Sequence, residues 1–260
     1  MKLAIAGKGG VGKTTLASLL AGIYAARGQQ VIAIDADPDA NLAAALGIPT
    51  EQASRITPIA KMDDLIEERT GAKPGSMVTY FKLNPKVDDI PDRFSATKGN
   101  IRLLIMGEVK AGGGGCVCPE STLLKALMSH LLLGRSEVVI MDMEAGLEHL
   151  ARGTARAVDV FIVVVEPGQR SLQTAKAVRK LALDLGVQKC YVVGFKVRGE
   201  DDRKYVTDNL PDFEILGFID YNPEIAEADR QGIGVFEHAP KAVAQAEAIA
   251  EKLDRVYAAK

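Results

Sequence analysis

The chain has 260 residues, 47% of them hydrophobic, which is enough for one large α/β domain with a full core. Its formal net charge of −2 gives no indication of a nucleic-acid partner. No apolar run approaches the ~20 residues of a membrane span, and we expect neither a membrane anchor nor a signal peptide. Three cysteines do not make a disulfide framework, so we expect a cytoplasmic, reducing setting.

Apolar runs alternate with helical patterns along most of the chain. The predicted strands are Lys2–Ala6, Gln30–Asp35, Ile101–Met106, Glu137–Asp142, Val160–Val165, Cys190–Val197 and Ile215–Ile219. The predicted helices are Leu16–Arg27, Met62–Arg69, Ser121–Leu133, Leu172–Leu185 and Ala242–Tyr257. The strands are rich in Val and Ile without alternation, which is typical of parallel strands covered on both faces. The order predicts one doubly wound α/β domain over 1–260, with a mostly parallel sheet of seven or eight strands and helices on both faces.

The segment 48–98 is less regular than the rest of the chain. It carries five prolines, and its apolar content is too thin for a core of its own. We therefore expect an irregular insertion on the sheet and not a separate domain.

A glycine-rich loop follows the first predicted strand and precedes the first predicted helix. Its residues are Gly7, Lys8, Gly9, Gly10, Val11, Gly12, Lys13, Thr14 and Thr15. Glycines let backbone N–H groups turn inward around an anion, and the helix N-terminus adds its dipole. In such a loop Lys13 reaches the β- and γ-phosphates, and the Thr14 hydroxyl binds magnesium. The loop therefore predicts a nucleoside triphosphate site.

The same loop also satisfies the Gly-x-Gly-x-x-Gly pattern of dinucleotide-binding proteins. Asp35 even falls where a ribose-binding acid would lie. Lys13 and Thr14 decide against that interpretation, because a dinucleotide pyrophosphate has neither a γ-phosphate nor a metal for them to bind.

Two later strands end in acidic residues. Asp35 and Asp37 follow the second strand and could position magnesium waters and an attacking water, although Asp and Pro also favour a simple turn. The strand Glu137–Asp142 closes on Asp142, a second magnesium element. Four residues later Gly146 offers a backbone N–H that can sense the γ-phosphate.

A second cluster of unusual residues occupies 112–118. Four consecutive glycines precede Cys116 and Cys118, and Pro119 suits the first position of a helix. Cys118 then lies near a helix N-terminus, where the thiolate is favoured. Two buried apolar cysteines are the alternative, but four glycines indicate a loop and not a core, so the sequence favours a metal site.

One chain does not easily complete that metal site. Closed sites for soft metals have about four ligands. Cys190 begins a predicted strand, where we expect it in the core, and His130 lies on a predicted helix. His149 and His238 show no spacing relation to the pair. A two-fold dimer would double Cys116 and Cys118 into four thiolates on the axis.

The glycine-rich loop, with a lysine at its second position, resembles the deviant phosphate loop of the MinD, ParA and nitrogenase-iron-protein ATPases. The resemblance covers the whole order of elements, including Asp-Ala-Asp-Pro-x-x-Asn at 35–41 and Asp-x-Glu-x-Gly at 142–146. It implies an ATP-dependent homodimer in which Lys8 crosses to the partner's nucleotide. It also implies nucleotide contacts from Asn41, Lys196 and Pro223. Phe195 stands where related ATPases often carry Asn, and the acid of a guanine site is missing.

The Cys-x-Cys pair and Asp-Met-Glu-Ala-Gly-Leu-Glu-His at 142–149 resemble the CooC group, the nickel-insertion ATPases that mature carbon monoxide dehydrogenase. The resemblance implies ATP and Mg²⁺, with Zn²⁺ or Ni²⁺ at the dimer interface and carbon monoxide dehydrogenase as client. Three alternatives stay open at this point: a factor for acetyl-CoA synthase, an iron–sulfur electron-transfer ATPase, and a positioning or partition ATPase.

Overall fold

A computed structural model describes residues 1–74, 80–107, 118–145, 155–187 and 189–258. The strands are β1 Lys2–Gly7, β2 Val31–Asp35, β3 Ala96–Lys98, β4 Ile101–Ile105, β5 Val138–Asp142, β6 Val160–Val165, β7 Cys190–Val197 and β8 Glu214–Asp220. The helices are α1 Lys13–Ala26, α2 Leu42–Ala45, α3 Thr50–Ala53, α4 Asp63–Thr70, α5 Ile90–Phe94, α6 Pro119–Leu133, α7 Gln169–Asp184, α8 Glu200–Asn209, α9 Pro223–Gln231, α10 Val235–His238 and α11 Pro240–Ala258. A short 3₁₀ helix occupies Ile59–Lys61.

The strands form one twisted sheet in the order β3-β4-β2-β5-β1-β6-β7-β8. All neighbours are parallel except β3, which pairs antiparallel with β4 at the edge. Parallel neighbours need crossover connections, and helices supply most of them. The doubly wound α/β fold predicted from the sequence is thereby confirmed.

The register brings the ends of the three central strands together. Ile5 in β1 and Asp35 in β2 both lie opposite Asp142 in β5. The loops that leave β1, β2 and β5 therefore start side by side at the carboxyl edge of the sheet, where ligands bind in folds of this kind.

Apolar side chains cover both faces of the sheet. On one face α1 and α11 pack together through residues such as Leu20, Tyr24 and Ile249. On the other face α6 and α7 bury Leu127, Val178 and their neighbours. Strands buried on both sides explain the Val- and Ile-rich runs, since neither face needs polar residues.

All seven predicted strands and all five predicted helices are confirmed within a few residues at their ends. The prediction omitted β3, whose three residues Ala-Thr-Lys are partly exposed and carry no apolar pattern. It also omitted α8 and α9, two helices rich in charged residues with few buried positions.

The segment 48–98 packs against the sheet layer through a few apolar residues. Ile59, Leu65, Ile66 and Ile90 are buried together with residues of β4 and α6. A buried arginine, Arg69, donates to Asp89 at 2.8 Å and joins α4 to the turn before α5. None of the helices that the structure describes has both the length and the apolarity to cross a lipid bilayer.

Candidate active site

The loop between β1 and α1 has a backbone that only glycine adopts easily. Gly7, Gly10 and Gly12 have φ values of 151°, 77° and 106°. A Cβ on Gly12 would lie 2.6 Å from Cδ1 of Phe195, and one on Gly7 would lie 2.5 Å from the carbonyl oxygen of Val164. These contacts and the positive φ values explain the glycines, and the loop curves over the N-terminus of α1 as a phosphate cradle requires.

Lys13 is the first residue of α1, and its side chain is 6% exposed. Its ammonium lies 3.5 Å from a carboxylate oxygen of Asp37, which follows β2. Both residues line the same cavity. The structure therefore brings together the cation and the carboxylate that the sequence assigned to phosphate binding and to water positioning.

Thr14 lines the cavity and contacts Asp142, which is fully buried behind it. The Thr14 hydroxyl donates to Oδ2 of Asp142 at 2.6 Å. The other carboxylate oxygen of Asp142 is buried without a hydrogen-bond partner among the described residues. Burial raises the pKa of the Asp142 carboxyl to about 6, and the hydrogen bond from Thr14 acts in the opposite direction. A hydroxyl beside an unpartnered carboxylate oxygen fits a magnesium ion, which prefers oxygen ligands and keeps several waters.

Asp35 does not line the cavity, unlike Asp37 two residues later. Asp35 is fully buried, and its two oxygens accept from the backbone N–H groups of Leu42 and Asp37, at 2.9 and 3.3 Å. Burial raises the pKa of the Asp35 carboxyl to about 7. The sequence predicted Asp37 as a catalytic residue and Asp35 as a cofactor-binding one. In the structure Asp35 holds the backbone of the 36–41 loop, while Asp37 lines the cavity.

The cavity has a volume of about 520 Å³, within the range of small-molecule sites. The phosphate loop, including Gly9, Gly10 and Thr15, lines one end. Asn41 lines the side formed by the loop after β2. Val11 is fully buried beneath the loop, so its side chain supports the cradle from the core.

The end of β7 also lines the cavity and contacts the phosphate loop. Phe195 is 2% exposed and fills the space beneath Gly12. Lys196 has a φ of 58°, and its ammonium donates to the carbonyl oxygen of Gly10 at 2.5 Å. Pro223, predicted to contact the nucleotide, is the first residue of α9; Tyr221 and Asn222 just before it line the cavity.

Lys8 differs from the rest of the loop. Its side chain is partly exposed, and within the described part of the chain its ammonium has no hydrogen bond or ion pair. Its carbonyl oxygen accepts from the N–H of Val11 at 3.4 Å.

Cys118 caps the N-terminus of α6. Its sulfur accepts from the N–H of Ser121 at 3.5 Å, and Pro119 follows as the first helical residue. Cys116 and Gly146, also predicted as site residues, lie outside the described residues. Within the described ranges no three His, Cys, Asp or Glu side chains are close enough to hold a metal ion together.

Three acidic residues that line the cavity, Asp39, Glu144 and Asp229, received no role from the sequence. Glu144 follows β5 and could have been noticed from its place two residues after Asp142. Asp229 lies in α9, a helix that the sequence did not predict, and no local pattern connects it with the phosphate loop.

Residues 2–235 match the family described as the CobQ/CobB/MinD/ParA nucleotide binding domain. The chain is 46% identical over 257 residues to the carbon monoxide dehydrogenase accessory protein CooC of Rhodospirillum rubrum, covering 98% of this chain and 97% of that protein. It is 48% identical over 235 residues to an uncharacterized ATP-binding protein of Methanocaldococcus jannaschii, covering 89% of this chain and 90% of that one.

Solved structures of lower identity share the fold. The MinD cell division protein of Aquifex aeolicus superposes with a TM-score of 0.67 at 20% identity, covering 98% of this chain and 97% of that chain. MinD of Pyrococcus horikoshii, in complex with Mg-ADP, gives 0.65 at 19% identity, with 98% and 96% covered.

Proposed function

The chain belongs to the CobQ/CobB/MinD/ParA nucleotide-binding family as an ATPase of the CooC type, and from this premise we propose that it is a cytoplasmic factor for nickel insertion into carbon monoxide dehydrogenase. The observation that carries the proposal is the match to the R. rubrum accessory protein over 98% of the chain. In this proposal the phosphate loop binds ATP, and the Cys-x-Cys pair binds the metal.

We assign the chemistry of ATP hydrolysis to four residues around the phosphate end of the cavity. Lys13 binds the β- and γ-phosphates in its own subunit. The Thr14 hydroxyl and the Asp142 carboxylate would hold Mg²⁺, which would neutralise phosphate charge. Asp37 orients the attacking water, and its position 3.5 Å from Lys13 supports this role.

We further propose that ATP closes a homodimer. Lys8 would reach the partner's phosphates, and its lack of a partner within the described part of its own chain is compatible with that. Gly146 would relay the γ-phosphate state to the neighbouring loop. Asp142 links this relay to the magnesium site, since it lies four residues before Gly146 in the sequence.

The metal site of this proposal lies on the two-fold axis. Cys116 and Cys118 of both subunits would supply four thiolates to one Zn²⁺ or Ni²⁺ ion. The position of Cys118 at the N-terminus of α6 supports this assignment, because its sulfur lies at the end of the helix next to the 112–117 segment that carries Cys116. Closure by ATP would set the geometry of the four sulfurs, and hydrolysis would release metal or client.

Asp37→Asn should slow ATP hydrolysis by about 10²-fold, the usual effect of removing a group that positions a proton or water. Nucleotide affinity should be nearly unchanged, since Lys13 and the loop backbone remain. Single-turnover hydrolysis and equilibrium binding of a fluorescent ATP analogue separate the two effects. Asp39→Asn, two residues later in the same loop, is the matched control. Equal losses of hydrolysis in both variants would contradict a specific role for Asp37.

The client is tested in cells that lack this protein. We expect carbon monoxide dehydrogenase from such cells to be nickel-poor at limiting nickel, with partial rescue by excess nickel. Metal analysis of the purified enzyme measures this directly. A fully nickel-loaded enzyme from the deletion strain at limiting nickel would show that the client is wrong, and the same assay on acetyl-CoA synthase would test the alternative client.

A further inference from the structure

Outside the phosphate loop, α9 gives the cavity a partly apolar wall, lined by Ile225 and Ala226 of α9 and by Ile233 after it. Lys13 and Thr14 fix where the phosphates bind, so the base of a bound nucleotide meets the walls outside that loop. Such walls bind the faces of a purine but do not distinguish one base edge from another.

Most polar side chains in these walls are already engaged. The Asp220 carboxylate is paired with Arg203 and Lys241. Asn222 uses its oxygen to accept from the N–H of Glu224 at 2.9 Å, and its amide donates to the carboxylate of Glu224 at 3.1 Å. These groups hold the start of α9 and the end of β8 in place, which leaves them poorly available to a ligand.

The end of β7 supplies no base-edge contact from its side chains either. Phe195 lies beneath Gly12 and carries no polar side-chain atom. The ammonium of Lys196 is bound to the carbonyl oxygen of Gly10. Phe195 therefore contributes only packing at this point of the cavity.

Asp229 is the exception on α9. It follows Ile225 by four residues, so the two side chains share one face of the helix, and both line the cavity. Within the described part of the chain the Asp229 carboxylate has no hydrogen bond or ion pair, whereas Glu227 on another face accepts from Gln231 at 2.8 Å. An exposed carboxylate beside an apolar wall is thus free to meet a hydrogen-bond donor.

We propose that Asp229 determines base specificity by accepting a hydrogen bond from the exocyclic amine of adenine. An ionised carboxylate only accepts hydrogen bonds, and the adenine amine is a donor at the base edge. Guanine or hypoxanthine bound in the same position would turn its O6 acceptor toward the carboxylate, which is repulsive. This inference rests on the proposed function, because it requires ATP in this cavity.

The test pairs a change in the protein with a change in the ligand. Purine riboside triphosphate lacks only the exocyclic amine of ATP. The wild-type protein should bind ATP about tenfold or more tightly than this analogue, as expected for a hydrogen bond to a charged group. Asp229→Ala should bind the two with equal affinity, and its affinity for purine riboside triphosphate should match that of the wild type. Glu227→Ala is the control and should keep the full preference for ATP.

Three results would overturn the assignment of Asp229. If Asp229→Ala keeps the preference for ATP over the analogue, another group binds the exocyclic amine of adenine. The variant could lose affinity equally for both ligands but not for 2′-deoxy- or 3′-deoxy-ATP, which would place the carboxylate on the ribose. If the wild type binds neither triphosphate, the ATP site itself is refuted. That result differs from a failure of the Asp229 assignment, because it is seen in the wild type without any variant.

Discussion

Lys13→Ala is expected to abolish magnesium-dependent ATP turnover, with a loss of about 10²–10³-fold or more, as for other preorganised cationic or hydrogen-bond contacts to a transition state. The ammonium lies buried at the start of α1 and 3.5 Å from Asp37. Its removal takes away the positive charge that balances the phosphates. It also removes the ion-pair partner of Asp37, the side chain that orients the water. Steady-state phosphate release with saturating magnesium measures the loss.

The control for Lys13 is a lysine far from the cavity. Lys125 is exposed on α6, and Lys125→Ala should leave turnover unchanged. Thermal unfolding of both variants shows whether the fold is intact. Turnover like that of the wild type in Lys13→Ala would refute the assignment of the phosphate loop as the site of hydrolysis.

The double substitution Cys116→Ala with Cys118→Ala should remove the bound metal and the dimerisation that metal drives. Nucleotide binding should persist, because the phosphate loop and its partners lie in other segments. Metal binding must release thiol protons, so the affinity of the wild type for zinc should fall as pH falls. Metal analysis and sedimentation velocity, each with and without zinc, measure both effects.

Cys190 provides the matched control for the cysteine pair. Cys190 begins β7, and burial raises the pKa of its thiol to about 12, so it is a poor metal ligand at neutral pH. Cys190→Ala should retain metal and dimer. An unchanged metal stoichiometry in the double variant would contradict the site at Cys116 and Cys118.

The strands of the fold could be predicted because each is an apolar run buried on both faces. Three elements that escaped prediction, β3, α8 and α9, bury little. β3 is three partly exposed residues whose pairing with β4 depends on the turn between them. α8 has a single buried residue, Val206, and three acidic residues in its first turn, so its sequence shows no apolar stripe.

The phosphate end of the site could be predicted for a different reason. Its residues lie in short contiguous motifs at the ends of strands, and the parallel sheet brings those ends together. The role of Asp35 could not be derived, because an acid after a strand can face either the ligand or its own turn. Asp229 could not be derived either, since its position depends on how α9 packs across the sheet edge.

The central claim, a metal site shared by two subunits and coupled to ATP, is tested most directly by the metal content and mass of the wild-type protein. Zinc or nickel is titrated with and without a non-hydrolysable ATP analogue, and the mass of the metal-bound species is measured. We predict one ion per dimer, with analogue and metal each strengthening the binding of the other, as linkage requires when both favour one closed state. One ion held tightly by a monomer, with an affinity that the analogue does not change, would contradict the account.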